Sequence, residues 1–349
     1  MPSIKDVAEL AGVAVGTVSH VITGSVPVSG ELRRKVQDAI RQLDYHPNHV
    51  ARSLKTSKTR TLGIIVPDMT IPYFPRVIRG AEAAARQRNY SLIAVNSDDN
   101  AVRQTELLSL LRSQRVEGIL LVLAAGPVPF TQISGIVSAG IRIVSLDRIP
   151  DRFPVDSVSV EDVSAAELGV DHLISVGHRR IAIVTGPLSL KNERQRLLGY
   201  HRSLERAGVK AEGQLIWHGN LRPEDVAAMC RTRLRALPSW PDAIFSTNGP
   251  TGLGVLRALR DCGLRTPGDI ALATFDELTV EDLFKPSITT VVQPAYDIGF
   301  RAAEILLQRI EQGAADQPIT VRLPATLKIC DSSGLPNRKP RPARAGIPH

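Results

Sequence analysis

Apolar residues at the start of the chain recur with a helical period. Ile4, Val7, Ala8 and Ala11 stand at i, i+3, i+4 and i+7, and Ser3 with Asp6 has the spacing of a capping box. Gly12 stops this helix. Ala14, Val18, Val21 and Ile22 then share one face of a second helix, with Val15, Gly16, Ser19, His20 and Thr23 on the other. Gly24 ends that helix, Pro27 and Ser29 mark a turn, and Leu32, Val36, Ala39, Ile40 and Leu43 outline a third. Two short helices joined at a glycine and closed by a third form the helix-turn-helix arrangement, whose second helix enters a DNA major groove. The same pattern also fits a generic three-helix cap. The segment from Tyr45 to Lys55 holds Pro47 at a first helical position and Val50 and Leu54 one turn apart. It is too short to be stable alone, so it orders only against a partner.

Beyond residue 60 the period changes. Apolar runs at Leu62–Val66, Leu92–Val95, Ile119–Leu123, Ile141–Leu146, Ile181–Val184, Ala243–Ser246, Ile270–Thr274 and Ile288–Val292 alternate with helical stretches. Near-continuous apolar strands separated by helices predict parallel, doubly wound α/β sheets. The runs beginning at Arg60 and Arg180 are similar and lie 120 residues apart, which predicts two lobes. A ligand then belongs in the cleft between them, at the carboxyl ends of the strands.

Charge sharpens this division. The 349 residues carry a formal charge of +8 and are 43% hydrophobic, enough apolar surface for packed cores. Residues 1–60 hold nine basic and five acidic side chains and residues 331–349 four and one, while the long middle is almost neutral. A polyanion-binding module attached to a body with a different task explains that distribution. The basic, proline-containing tail at 331–349 reads as disordered. Three scattered cysteines, Cys230, Cys262 and Cys330, give no disulfide framework or zinc site, and no apolar run is long enough to cross a membrane. A cytoplasmic chain is expected.

Ile4-Lys5-Asp6-Val7-Ala8-Glu9-Leu10-Ala11-Gly12-Val13 followed by Thr17-Val18-Ser19-His20-Val21 resembles the headpiece of the lac repressor (LacI/GalR) family, and the likeness continues down nearly the whole chain. The resemblance implies a lambda-repressor-like headpiece over 1–46 and a hinge helix and linker over 47–60. It further implies a type I periplasmic-binding-protein-like body over 61–330, with crossovers near 160, 293 and 323. Val15, Gly16 and His20 match its base-reading positions, and Thr17, Ser19, Asn48, Ala51 and Arg52 its phosphate or groove contacts. Leu54 matches the wedge that the paired hinge helices drive between base pairs in the minor groove. Gly16 is unusual there, having no side chain to read with.

In the body, the resemblance assigns an effector pocket to loop residues just after strands and to one helix: Tyr73, Phe74, Asp147, Arg148, Arg196, Asn248 and Asp276. Taken singly, Asp147 and Asp276 read equally well as helix N-caps. Arg148, Lys191 and Arg196 hint at an acidic or phosphorylated sugar, although a solvent-facing Lys191 explains itself. The implied function is a homodimeric, DNA-binding transcriptional repressor of double-stranded operators, controlled by a small carbohydrate-like effector, without cofactor or metal. The competing reading is a solute-binding or sensory module without DNA function. Enzyme signatures are missing: Gly249-Pro-Thr-Gly-Leu-Gly has the wrong glycine order for a dinucleotide fingerprint, and no P-loop, G-x-S-x-G or H-E-x-x-H occurs. Gly177-His178-Arg179-Arg180 reads as a surface turn.

Overall fold

A computed structural model of the chain describes residues 2–23, 26–45, 59–127, 130–150, 155–278, 286–313 and 317–334. The chain divides into two units, Met1–Thr59 and Arg60–His349. Asn48, Ala51, Arg52 and Leu54, and most of the basic tail, lie outside the described residues.

Among the described residues of the first unit are three helices, α1 (Ile4–Ala11), α2 (Val15–Thr23) and α3 (Gly30–Gln42). Ser3 and Asp6 close the capping box, the Asp6 carboxylate accepting from the Ser3 backbone at 2.7 Å. Gly12 ends α1 in the left-handed region at φ 64°. Val7, Ala8, Val18, Val36 and Ala39 form the buried centre of the unit. Ala14 differs from its expected place in that core: it is exposed, and its carbonyl starts α2 by accepting from Thr17.

The second unit is two lobes of six strands each. Lobe 1 holds β1 (Thr61–Val66), β2 (Ser91–Asn96), β3 (Gly118–Leu121), β4 (Arg142–Leu146), β5 (Asp156–Val160) and β11 (Thr320–Leu323), in the order β11-β5-β4-β3-β1-β2. Lobe 2 holds β6 (Ile181–Thr185), β7 (Ile216–His218), β8 (Ala243–Ser246), β9 (Ala271–Phe275), β10 (Thr289–Val292) and β12 (Thr326–Lys328), in the order β12-β10-β9-β8-β6-β7. The orders are the same once equivalent strands are matched, so the repeat seen at Arg60 and Arg180 extends through both sheets. The sheets are parallel except at β12, which runs antiparallel to β10.

Helices flank both sheets: α4 (Tyr73–Gln87), α5 (Ala101–Ser113), α6 (Phe130–Ser138) and α11 (Ala295–Gln312) in lobe 1, and α7 (Asp162–Val176), α8 (Lys191–Arg206), α9 (Pro223–Ala236) and α10 (Gly249–Asp261) in lobe 2. The chain passes between lobes three times, after β5, after β10 and after β11. In lobe 1, α4 and α11 cross at a pair of glycines. A Cβ on Gly80 would strike the Tyr296 carbonyl, and one on Gly299 the Val77 carbonyl. This close crossing fixes the first turns of both helices, which start at the cleft.

Three strands carry little pattern. β5 is fully buried yet reads Asp-Ser-Val-Ser-Val, because Asp156 is paired with Arg309 at 2.8 Å and accepts from the Ile319 backbone at 2.7 Å. β11 and β12 are half-exposed ends of sheets. The glycines of Gly249-Pro-Thr-Gly-Leu-Gly serve close packing: Gly252 lies against Ser246 and Thr274, and Gly254 against Val226. The turn at Gly177 ends α7, but His178 is buried rather than on the surface, its Nε2 within 3.1 Å of the Ser333 carbonyl.

Candidate functional site

In the first unit α2 is held by Val18, which is fully buried, while Val15, Gly16 and His20 are exposed and Thr17 and Ser19 half-buried. No atom outside the helix's own backbone lies within 4 Å of where a Gly16 Cβ would stand. The expected reading face is therefore small, open and on one side of a short helix.

In the second unit the site is built around Arg196, on the inward face of α8 and 2% exposed. Its Nε donates to Asp162 Oδ1 at 2.7 Å, and its Nη1 donates to the Thr247 carbonyl at 2.7 Å. The guanidinium lies 3.7 Å from the centre of the Phe275 ring. Asp147 and Glu193 stand at 3.9 Å. Burial works against this charge, but the carboxylates of Asp162, Glu193, Asp147 and Asp276 outweigh it and hold the guanidinium more firmly protonated than usual.

Asp147 and Asp276 occupy the same place in the two lobes. Each follows the fourth strand of its sheet in the left-handed region, at φ 55° and 69°, and donates its backbone N–H to the fifth strand, at Val158 and Val291. Among the described residues neither caps a helix. The cap is Asn248, whose Oδ1 accepts from the Thr251 backbone at 2.9 Å while its Nδ2 donates to Glu193 at 2.9 Å. Glu193 also accepts from the Gly186 backbone at 2.8 Å and from the Thr247 hydroxyl. Asp276 accepts from Gln293 at 2.8 Å.

Burial lifts the carboxyls of this group. Asp276 is pushed up to about 7 and Asp162 to about 6, both against the pull of Arg196, and Asp147 also rises. The Tyr73 hydroxyl is held well above its ordinary range by burial and then by Asp147 and Asp276. A raised folded-state value means the native protein binds a proton below about 7 that the unfolded chain takes up only near 4. These groups therefore destabilise the fold most above pH 7, and the penalty shrinks as pH falls towards 4. Asp276→Asn should raise the melting temperature at pH 8 and give little or no gain at pH 4.5; equal shifts at both would contradict this account.

Tyr73 reaches the cleft, whereas Phe74 is packed in the core of lobe 1. Arg148 is turned into lobe 1, where it donates to the Leu123 carbonyl at 3.0 Å and pairs with Asp99. Arg76 of lobe 1 pairs with Glu277 of lobe 2 beside Tyr73. Asp162, Asn192, Glu193 and Gln293 belong to the site without having been singled out in the sequence. Asn192 and Glu193 precede Arg196 by four and three residues, helical spacing that puts them on its face. Among the described residues, four buried polar atoms here lack a hydrogen-bond partner: Tyr73 Oη, Asn192 Oδ1, Arg196 Nη2 and Gln293 Oε1. Such atoms are costly unless a ligand or water completes them.

The signature of bacterial regulatory proteins of the lacI family matches residues 3–48, and that of a periplasmic binding protein-like domain matches residues 170–333. The ribose operon repressor of Escherichia coli (strain K12) is 34% identical over 319 residues, covering 91% of this chain and 96% of the relative. The HTH-type transcriptional repressor PurR of Pasteurella multocida (strain Pm70) is 32% identical over 322 residues, covering 91% and 95%. Among solved structures, the lac repressor dimer bound to operator and the anti-inducer ONPF superposes with a TM-score of 0.81 at 26% identity, covering 95% of this chain and 99% of that one. The complex of the transcriptional regulator CelR with cellobiose gives 0.71 at 30%, covering 95% and 100%. With its three-helix unit, its paired six-stranded lobes and relatives matched over nearly their whole length, the chain belongs to the lacI family of bacterial regulatory proteins.

Proposed function

We propose that this protein is a homodimeric transcriptional repressor that binds operator DNA through residues 1–60 and releases or grips it in response to a polyhydroxylated effector in the interlobe cleft. The observation that carries the reading is the pairing, in one chain, of a helix-turn-helix unit with a two-lobe body whose cleft holds four unpartnered buried polar atoms. Val15, Gly16 and His20 face base edges in this reading, and Thr17 and Ser19 the backbone. Asn48, Ala51, Arg52 and Leu54 carry the hinge contacts. Ile93 on the edge strand β2, with Val102 and Leu110 on α5, offers the dimer an exposed apolar surface on lobe 1.

The effector class follows from charge. Arg148 is held by Asp99 and Arg196 is matched by Asp162, so among the described residues carboxylates outnumber cations around Arg196 and neither of these arginines is left for an acid or phosphate. Hydroxyl donors suit Asp147, Asp276, Asn192 and Gln293 best. The cellobiose held by the CelR relative is a ligand of that kind. Effector binding changes the angle between lobes at the three crossovers, and the dimer transmits that change to the spacing of its DNA-binding units.

The test is a titration against duplex fragments selected from the source genome at several salt concentrations. Affinity should fall at least about tenfold between 50 and 200 mM salt, the signature of counterion release, and should vanish for residues 61–349 alone. Binding that ignores salt, or that survives removal of the first sixty residues, leaves only the solute-binding reading.

A further inference from the structure

Among the described residues, eight other than glycine have a backbone in the left-handed region, and six of them are Asn or Asp, which tolerate it. The remaining two are arginines. Arg115, at φ 55°, stands in the usual place for such a residue, directly after the C-cap of α5. Arg60, at φ 48°, follows no described helix: it is the residue on which the chain passes from the linker into β1. Lobe 1 holds it at the start of three strands. Its backbone N–H donates to Glu117 Oε1 at 2.7 Å, and its carbonyl accepts from the Ser91 N–H of β2 at 2.9 Å. Glu117, just before β3, donates its own N–H to the Thr61 carbonyl at 2.8 Å. Tyr90 closes the arrangement from the side, its hydroxyl donating to Glu117 Oε2 at 2.9 Å and its ring centre lying 6.0 Å from the Arg60 guanidinium. Burial, then the bond to Glu117, pushes that hydroxyl up to about 12, so it stays a donor throughout the neutral range.

We propose that Arg60 is a positioning residue for DNA binding: its left-handed turn, pinned by Glu117, sets the direction in which the linker leaves lobe 1 and so ties the first unit to the posture of that lobe. The inference rests on the operator-binding reading above. A strained backbone persists only where its surroundings over-determine it, and such places cluster at clamps and switches. The internal repeat supplies the comparison. In lobe 2, Arg180 stands where Arg60 does, and its N–H donates to Asp242, just before β8, at 3.1 Å. Arg180 makes that bond without a left-handed turn, and its guanidinium donates to Glu212 at 2.9 Å. The carboxylate bond thus serves the sheet in both lobes, whereas the left-handed turn belongs to lobe 1, where the linker joins. A linker attached through a freely rotating residue would carry no orientation from one unit to the next. One fastened to the starts of β1, β2 and β3 turns when lobe 1 turns.

The test compares variants of the full chain for binding to duplex fragments selected from the source genome and to random duplex of the same length, with melting temperatures alongside. Arg60→Asn and Arg60→Val both remove the charge and keep a Cβ, but Asn tolerates the left-handed region and a β-branched residue does not. Arg60→Asn should keep the parent's preference for the selected duplex to within about threefold, whereas Arg60→Val should lose about tenfold or more of it, the order of the left-handed penalty for an ordinary residue. Affinity for random duplex should be the same in both. Glu117→Ala, which removes the acceptor that pins the turn, should lose the preference as Arg60→Val does. Arg60 is exposed, so its two variants keep the test available if Glu117→Ala does not fold. Equal preferences in folded Arg60→Asn and Arg60→Val would overturn the positioning role and leave the operator reading standing. A parent with no preference for any selected duplex would overturn both.

Discussion

Replacing Arg196 by alanine should destabilise the body by about 3–5 kcal/mol, the usual cost of removing one partner from a buried ion pair. The side chain is 2% exposed and is the cation that Asp162, Glu193, Asp147 and Asp276 share. Its loss strands Asp162, leaves the Thr247 carbonyl without its donor and takes the guanidinium from the Phe275 ring. Urea unfolding of the parent and the variant measures the change. The deficit should be larger at pH 8 than at pH 5, because the stranded carboxyls can take up protons in the acid range and stop repelling one another. Arg196→Lys restores charge but not the fork of donors, so it should recover only part of the loss. A variant as stable as the parent would show that Arg196 is a replaceable lining residue rather than the electrostatic centre of the body.

A comparable loss is expected from one methyl group. In Gly299→Ala the added Cβ meets the Val77 carbonyl, and in Gly80→Ala it meets the Tyr296 carbonyl. Overpacking a core commonly costs about 1–3 kcal/mol when side chains can shift. Here the obstacle is backbone on both sides of one crossing, so each variant should cost about 3 kcal/mol or more. Gly135→Ala is the control, since the Cβ would meet nothing within 4 Å on the exposed side of α6. It should stabilise by roughly 0.5–1 kcal/mol through helix propensity alone. If Gly299→Ala and Gly135→Ala shift the urea midpoint alike, close approach is not what demands glycine at the crossing.

The parts legible in the sequence are those whose environment is periodic. α1 to α3 bury one stripe each, and β1, β3, β6, β8 and β9 are buried on both faces, so their apolar patterns survive as 3.6-residue spacing or unbroken runs. β5 breaks the rule because its polar residues are satisfied by Arg309 and by neighbouring strands, which nothing local announces. The candidate site was legible as a set of strand-end residues and not as a geometry. Asp147 and Asp276 look like helix caps until their left-handed backbone places them opposite one another, while the actual cap is Asn248. Arg196 stands on a helix that also carries Lys191, Arg194, Arg202 and Arg206, and spacing alone does not say which cation faces inward. Arg148 is adjacent in sequence to Asp147 but spends its charge on Asp99.

The three passages between lobes bear on how the protein comes into being during synthesis. Lobe 1 begins at residue 61, yet α11 and β11, which pack on α4 and β5, are made only at 295–323. A nascent chain that has emerged as far as residue 290 holds a complete three-helix unit but neither lobe in finished form. Translation at about 5–20 residues per second leaves that half-made sheet waiting for several seconds or longer. A premature stop between the end of α3 and the start of α11 therefore yields a chain that can have a folded N-terminal unit but no body to govern it.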